Sequence, residues 1–251
     1  MKLLDINQFS TLSESDCIQI QQELSKYVVE KNTISLDDIK TVAGVDIAYW
    51  KKQRTVGFAN CPYVQEETEW AVCCIVVLDI HKKTVIEQKH VADKIKFPYI
   101  PGCFAFRELP LVIQTAAQLN HPPNLFLFDG NGILHPRMMG LATHASFYLN
   151  TPTIGIAKRY FQVEGAQYCI PENIAGSYTD IIKEHKILGR AIRTHTNVKP
   201  IFASVGNYID IDTVTKLALQ LTDKQSHIPI PTRYADLDTH QRRAELLTAK
   251  F

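Results

Sequence analysis

The chain has 251 residues, with 27 Lys and Arg against 26 Asp and Glu, so its formal net charge at pH 7 is +1. This balance excludes a uniformly basic coat for non-specific nucleic-acid binding, although it leaves room for a local basic patch. The length suits one large domain that buries its own core. We therefore expect a single domain over residues 1–251, with a C-terminal elaboration from about residue 160.

Cysteine usage and hydropathy indicate the compartment. The six cysteines form no CxxC pair, which is typical of buried free thiols in a reducing environment. They are Cys17, Cys61, Cys73, Cys74, Cys103 and Cys169. The N-terminal MKLLDINQFS is too weakly apolar for a signal peptide, and the longest apolar run, residues 71–78, is far below the roughly 18 residues of a membrane helix. We expect a cytoplasmic protein with no membrane association.

Hydrophobic patterning predicts a helix and three strands in the N-terminal half. The helix covers residues 15–31, with Ser15 as its cap. The strands cover residues 41–50, 69–80 and 84–93, and the second is a continuous apolar run typical of a strand buried on both faces. Because short turns connect them, these strands are expected to form an antiparallel meander.

The next segment predicts strands that alternate with helices. A helix is expected from about Pro110, a residue that suits the first helical turn, to Asn120. A strand at 124–130, a helix at 137–150 and a strand at 151–158 follow, and this order predicts parallel crossovers. The sheet should therefore be mixed and covered by helices. Beyond it we expect a hairpin region at 162–195, a strand at IFASVG and a helix at DTVTKLALQL.

Three carboxylates stand in or beside these predicted buried elements. Asp46 lies inside the first strand, Asp129 ends the strand LFLFD, and Glu108 precedes the predicted helix. Burying a carboxylate is costly unless it is paired or binds a metal, and oxygen-only ligands suit Mg²⁺ or Mn²⁺. Each residue also has a simpler interpretation as a turn, a helix N-terminal acid or an ion-pair partner. By pattern alone, metal-assisted phosphoryl chemistry remains one of several readings.

Five motifs resemble a known family and occur in that family's order. They are GVDIAY (44–49), FPYIPGCFAFRELP (97–110), DGNGILHPRMMGLATH (129–144), TIGIAK (153–158) and PTRYAD (231–236). Together they resemble endonuclease V, the deoxyinosine-specific nuclease. The resemblance implies an α/β, ribonuclease H-like fold, with a mixed five-stranded sheet flanked by helices and the first strand in the centre.

The resemblance also implies the site residues. Those matching the family's metal-binding and catalytic positions are Asp46, Glu108, Asp129 and Asp236 for the metal, with Lys158 and His135 as further catalytic groups. Those implied at the base are Tyr99 as a wedge, Phe104 packing on the flipped base, and Pro101, Gly102, Gly130 and Gly132 around it. His135 either donates to a phosphate or braces its loop. Arg137 is expected to pair with a carboxylate or the backbone. Departures from the family pattern are Cys103, Asn207 and the segment THAS.

The implied activity is a Mg²⁺-dependent endonuclease, with Mn²⁺ as a substitute, that nicks DNA on the 3′ side of deoxyinosine and leaves a 5′-phosphate. A local basic patch is expected from Lys94, Lys96, Arg107 and Arg159. Two alternatives stay open: cleavage at inosine in single-stranded RNA, and a module that binds nucleic acid without cutting. Intact Asp46, Glu108 and Asp129 argue against the last. The sequence implies no obligate protein partner.

Overall fold

The computed structural model describes residues 3–56 and 64–248, and it confirms a mixed α/β fold with a large sheet flanked by helices. The strands are β1 (Thr41–Val56), β2 (Val64–Asp79), β3 (Val85–Lys94), β4 (Leu125–Asp129), β5 (Thr153–Ala157), β6 (Tyr178–Lys183), β7 (Lys186–Ile192) and β8 (Ile201–Asn207). The helices are α1 (Glu14–Ser25), α2 (Phe104–Ala116), α3 (Leu141–Leu149), α4 (Ile211–Gln220) and α5 (Ile230–Thr248), with 3₁₀ turns at Ile6–Thr11 and Leu36–Asp38.

The sheet runs in the order β3-β2-β1-β4-β5-β8-β7-β6. The first three strands form the expected antiparallel meander. Strands β1, β4 and β5 are parallel neighbours, as the strand–helix–strand order predicted. Among the first five strands β1 is central. The sheet has eight strands instead of five, because β8 adds antiparallel to β5 and carries the β6–β7 hairpin with it.

Strand β4 shows how the two layers of the core are divided. Its sequence LFLF is buried throughout. Leu125 and Leu127 belong to the cluster formed with α4 and the start of α5, whereas Phe126 and Phe128 pack with α2 and α3. Successive strand residues point to opposite faces, so the continuous apolar run is what a strand covered by helices on both faces requires.

Several predicted boundaries were wrong. Helix α1 is capped by Ser13 rather than Ser15, in a capping box with Asp16. Helix α2 begins at Phe104 and contains Pro110 within it, so Glu108 is a helical residue. Strands β1 and β2 extend well past residue 50 and before residue 69.

The described cysteines agree with the prediction of buried free thiols, with one exception. Four of the cysteines are buried and free, whereas Cys169 is free but exposed; Cys61 lies outside the described residues. Within residues 3–56 and 64–248, no helix is both long and apolar enough to cross a membrane.

Candidate active site

Three carboxylates meet at one edge of the sheet. One carboxylate oxygen from each of Asp46, Asp129 and Asp236 lies within 4.8 Å of the others. Asp46 and Asp129 follow Val45 and Phe128, which are paired across the parallel strands β1 and β4. Parallel neighbours bring equivalent positions to the same edge, so the sheet itself places two of the acids together.

The third acid arrives on α5, and Gly44 permits this approach. A Cβ at Gly44 would lie 1.9 Å from the carbonyl oxygen of Pro231, at the start of α5. Only a residue without a side chain allows this contact. The helix therefore rests directly on the backbone of β1, and Asp236 faces Asp46 two strand positions further along.

Lys158 lies between two of the carboxylates. Its Nζ is 2.7 Å from Asp129 Oδ2 and 3.1 Å from Asp236 Oδ1. Hydrogen bonds and charge from these acids raise the pKa of Lys158 against the opposing effect of its partial burial. The ammonium is therefore fully charged at neutral pH, and it offsets part of the repulsion among the acids.

Asp46 is partly buried and accepts a hydrogen bond from Thr239 Oγ1 at 2.7 Å. Burial, reinforced by the charges of Asp129 and Asp236, raises its pKa to about 6 from 3.8. The hydrogen bond from Thr239 and the charge of Lys158 act in the opposite direction. A group of crowded carboxylates with oxygen donors only fits a hard divalent cation, which would relieve the repulsion that raises this pKa.

Glu108 lies outside the group of three carboxylates, in contrast to its expected place among the metal ligands. Its Oε1 accepts a hydrogen bond of 2.6 Å from the hydroxyl of Tyr49. Burial, with the charges of Asp46 and Asp129, raises the pKa of Glu108 to about 8 from 4.5. The side chain is 5% exposed, so α2 holds it as a buried carboxyl beside the cluster.

A pocket of about 300 Å³ opens next to Asp129. The lining residues include six of the site residues predicted from the sequence, and the full set is Tyr99, Gly102, Phe104, Ala105, Asp129, Gly130, Asn131, His135, Met139, Gly140, Leu141 and Phe161. Tyr99 is 68% exposed, and its ring packs edge-on against Phe104 at 6.0 Å. Tyr99 is therefore an exposed aromatic in the lining of the pocket, and its role as a wedge stays a prediction.

Two predicted pocket residues are placed elsewhere among the described residues. Pro101 is exposed in the turn before α2 and is not part of the lining. Gly132 is buried against β8, where a Cβ would lie 2.0 Å from the carbonyl oxygen of Val205. Its N–H donates to Ser204 Oγ at 2.8 Å. Gly132 therefore seats the DGNG loop on the sheet instead of facing the pocket.

His135 and Arg137 brace the loop that ends at Gly102. The backbone N–H groups of Arg137 and Met139 donate to His135 Nδ1 at 3.2 and 3.4 Å, which leaves the proton on Nε2 to donate to the Gly102 carbonyl at 3.1 Å. Burial and the Arg137 charge lower the pKa of His135 to about 4. Arg137 also donates to the Gly102 carbonyl, at 2.7 Å, and to Gln21. The backbone pairing expected of Arg137 is confirmed.

The expected basic patch is smaller than predicted. Lys94, Lys96 and Arg159 are exposed. Arg107 is buried instead: it forms an ion pair of 2.5 Å with Glu69 and donates to the Phe97 carbonyl. Its guanidinium also lies over the Tyr49 ring, 4.9 Å from the centroid. Arg107 thus packs on Tyr49, the residue whose hydroxyl donates to Glu108.

All three departures from the family pattern, Cys103, Asn207 and the segment THAS, are buried. Asn207 accepts from the Val29 N–H and donates to Ser146 Oγ, so it connects β8 with α3 and the segment after α1. Cys103 caps α2 beside Arg137, with Sγ 3.8 Å from the guanidinium.

Three side chains at the site were not predicted from the sequence. Thr239 follows Asp236 by three residues on α5, so one predicted helix would have put both on the same face. Tyr49 has no assigned role in GVDIAY, the motif that contains it, and Phe161 lies in none of the five motifs. Only the fold brings them to Glu108 and to the pocket.

Comparison with known proteins agrees with this arrangement. The family model of endonuclease V matches residues 22–237. The endonuclease V of Bacillus subtilis is 46% identical over 243 residues, which is 97% of each chain. Its crystal structure aligns with a TM-score of 0.86 at 44% identity and covers 98% of this chain and 99% of that one. An endonuclease V from Ciona intestinalis, crystallised with a 24mer DNA containing an inosine followed by a ribo-adenosine, aligns with a TM-score of 0.75 at 25% identity, over 92% and 98% of the two chains.

A carboxylate cluster at the edge of a ribonuclease H-like sheet, matched over the full length of known nucleases, defines an endonuclease. The chain belongs to the endonuclease V family.

Proposed function

We propose that this protein is a Mg²⁺-dependent endonuclease that recognises deoxyinosine in DNA and nicks the strand on the 3′ side of the lesion, leaving a 5′-phosphate. One observation carries the proposal: Asp129 belongs both to the carboxylate cluster and to the lining of the pocket. A base held in the pocket therefore brings its own strand to the acids. The complex of the Ciona intestinalis relative with inosine-containing DNA supports the same substrate here.

Asp46, Asp129 and Asp236 would hold the Mg²⁺, and Glu108 stays a predicted ligand once its proton is lost. Mn²⁺, which accepts the same oxygen ligands, is the expected substitute. When bound, the metal supplies charge neutralisation at the phosphate and a water of lowered pKa.

The chain's own groups hold the strand and the protons. Lys158 is pinned between Asp129 and Asp236, so its charge is already fixed where a phosphate would approach, without reorganisation during the reaction. Thr239 holds Asp46 by donating to Oδ2, which leaves Oδ1 without that donor. His135, neutral and engaged at both nitrogens, acts as a brace for the pocket wall and not as a proton donor.

Recognition would depend on a flipped base. A deaminated base is weakly paired, so its extrusion costs less than that of a normal base. Tyr99 would fill the vacated stack, and Phe104 would contact the base in the pocket. Backbone groups of the Gly102 and Gly130 turns, with Pro101 at the edge, would read the 6-oxo group and N1–H. The single-domain organisation over residues 1–251, the cytoplasmic location and the lack of an obligate protein partner remain predictions.

Matched oligonucleotides test the proposal. Single-stranded DNA and RNA of one sequence, each with one inosine, are incubated with the protein in Mg²⁺ and in EDTA. We expect cleavage of the DNA in Mg²⁺ only, at a position 3′ to the lesion. Stronger cleavage of the RNA would favour the endoribonuclease alternative, because the site would then be using 2′-hydroxyl contacts. No cleavage of either strand in Mg²⁺ or Mn²⁺ would contradict both and favour a binding module.

A further inference from the structure

Helix α5 carries His240 one turn beyond Asp236 and Arg243 two turns beyond it. His240 Nε2 lies 3.8 Å from Asp236 Oδ1. Arg243 donates through NH2 to His240 Nδ1 at 3.1 Å and through NH1 to the Tyr49 carbonyl at 3.4 Å. A guanidinium cannot accept a hydrogen bond, so the direction of the first contact is fixed. Arg243 therefore orients the imidazole with its Nε2 toward the carboxylate cluster.

Arg243 differs from three other arginines of the described residues, which form ion pairs. Arg107 is ion-paired with Glu69, Arg190 with Asp180 and Asp212, and Arg242 with Glu245. Within residues 3–56 and 64–248, Arg243 has no carboxylate within 4.0 Å, and its two hydrogen bonds use two of its five N–H donors. A partly exposed cation with free donors beside three acids has the chemistry to bind an anion.

We propose that Arg243 and His240 form a subsite for a backbone phosphate of the substrate strand, on the 3′ side of the phosphodiester that is cut. The order of groups supports this. The pocket lies on the Asp129 side of the cluster, and Arg243 lies on the Asp236 side. A strand whose base occupies the pocket and which is cut 3′ to that base crosses the acids toward α5. The planar fork of Arg243 suits two phosphate oxygens.

The subsite also offsets the repulsion between the carboxylate cluster and the phosphates of the strand. Three carboxylates repel the approaching phosphates, and Lys158 is occupied with two of the acids. Arg243 adds positive charge on the side where the strand leaves, and His240, whose Nδ1 accepts from Arg243, offers a hydrogen-bond donor at Nε2. The inference rests on the proposed function, because it assumes the direction of the strand. Arg243 is a binding residue in this account, so its loss should weaken substrate binding more than turnover.

Phosphate neutralisation tests the subsite. Single-stranded oligonucleotides with one deoxyinosine carry a single methylphosphonate at successive positions 3′ to the cut, and kcat and KM are measured in Mg²⁺. We expect one position to raise KM about tenfold with the wild-type protein, the effect of a lost charge-assisted hydrogen bond. Arg243→Gln should raise KM by a similar factor on the unmodified strand and lose its sensitivity at that position alone. His240→Ala should weaken the same position and no other.

A binding measurement that needs no cleavage accompanies it. Fluorescence anisotropy in EDTA gives the affinity for the unmodified strand at several salt concentrations. Arg243→Gln should reduce the slope of log affinity against log salt by about 0.7, the value for one single-strand phosphate contact. Lys216→Gln, which removes one exposed charge from α4, should leave the slope and the KM unchanged. Arg243→Lys should keep the slope, because it keeps the charge.

The outcomes separate the two proposals. If the wild type does not cleave at deoxyinosine, the proposed function fails. If it cleaves, but Arg243→Gln keeps the wild-type slope and the wild-type response to every methylphosphonate, the subsite is wrong. Thermal unfolding confirms that the variants are folded. Should Arg243→Gln not fold, His240→Ala decides: reduced sensitivity at the one methylphosphonate position supports the subsite, and full wild-type sensitivity there overturns it.

Discussion

The backbone of Gly44 and the carbonyl of Pro231 are in direct contact, since a Cβ at Gly44 would lie 1.9 Å from the Pro231 oxygen. Gly44 is two residues before Asp46, and Pro231 is five residues before Asp236. This contact sets the distance between β1 and α5, and with it the distance between two of the three carboxylates. The geometry of the cluster therefore depends on a residue that has no side chain.

Gly44→Ala should damage activity more than stability. Overpacking costs about 1–3 kcal/mol, which would lower the melting temperature by several degrees. The helix must move away, and Asp236 moves with it. Thermal unfolding and Mg²⁺-dependent cleavage measure the two effects. Gly176→Ala is the matched control: Gly176 has a φ of 89° and no neighbouring atom within 4 Å, so this change should cost stability without a loss of cleavage. Normal cleavage by Gly44→Ala would show that the contact does not position Asp236.

Neutralising a carboxylate of the cluster should abolish turnover and stabilise the fold. Asp46→Asn retains an acceptor for Thr239 but removes charge from a crowded group. We expect kcat to fall by about 10³-fold or more, with binding of inosine-containing DNA largely kept. The melting temperature in EDTA should rise, because the burial of a charge and the repulsion that together raise the pKa of Asp46 are both relieved. Asp129→Asn should behave likewise in turnover. Near-normal kcat in either variant would remove these residues from the metal site.

The metal-free protein should lose stability as the pH rises. Burial raises the pKa of Glu108 to about 8 and that of Asp46 to about 6. Below about pH 6.5 the lowered pKa values of His135, about 4, and His144, about 3, oppose this effect, because the unfolded state binds protons there that the folded state does not. Between about pH 6.5 and pH 8 the folded state holds more protons than the unfolded state through Glu108, so the free energy of unfolding falls over this range. Urea unfolding in EDTA at several pH values measures it.

Glu108→Gln is the control for this pH dependence. It should remove the decline between about pH 6.5 and pH 8, while the Tyr49 hydroxyl keeps an acceptor. Added Mg²⁺ should stabilise the wild type more at pH 8 than at pH 6, since the metal competes with these protons. A wild-type stability that rises from pH 6.5 to pH 8 in EDTA would contradict the assigned pKa shift of Glu108.

Tyr99→Ala should weaken recognition rather than chemistry. The ring is 68% exposed, so its removal costs the fold little. Without it an extruded base returns to the stack, and KM should rise more on duplex than on single-stranded deoxyinosine DNA. Tyr99→Phe, which retains the ring, serves as the control. Equal losses on the two substrates would favour a packing role for Tyr99.

The sequence predicted most of the sheet because its signals are local. Strands β2, β4 and β5 are continuous apolar runs, and such runs are typical of strands covered on both faces. The predicted start of α2 was wrong because of Pro110. A proline is more common in the first helical turn than at the seventh helical residue, which is the position of Pro110 in α2. The loss of one hydrogen bond there is tolerated in a helix whose inner face is buried.

Helix α5 could not be predicted in the same way. It has charged residues around much of its circumference and few apolar ones, and its docking depends on Gly44 of a distant strand. Family motifs supplied Asp236 but not Thr239, His240 or Arg243, which share its helix. The placement of Glu108 against Tyr49, outside the carboxylate group, likewise depends on a tertiary contact between distant parts of the chain. The sequence motifs predicted all four acids, but only the folded structure shows that Asp46, Asp129 and Asp236 cluster without Glu108.

Cleavage of single strands that carry either inosine or guanosine is the sharpest test of base recognition by the pocket beside Asp129. The two bases share the 6-oxo group, N1–H and N7, so only exclusion of the 2-amino group by the pocket can separate them. A buried amino group left unpaired costs about 1–3 kcal/mol, which predicts a preference of roughly tenfold to hundredfold. Single-stranded DNA with either base at one position is cleaved in Mg²⁺, and the products are mapped. We predict that kcat/KM favours deoxyinosine by this factor, with one nick on its 3′ side and none in EDTA. Equal rates on the two strands would contradict base recognition by the pocket.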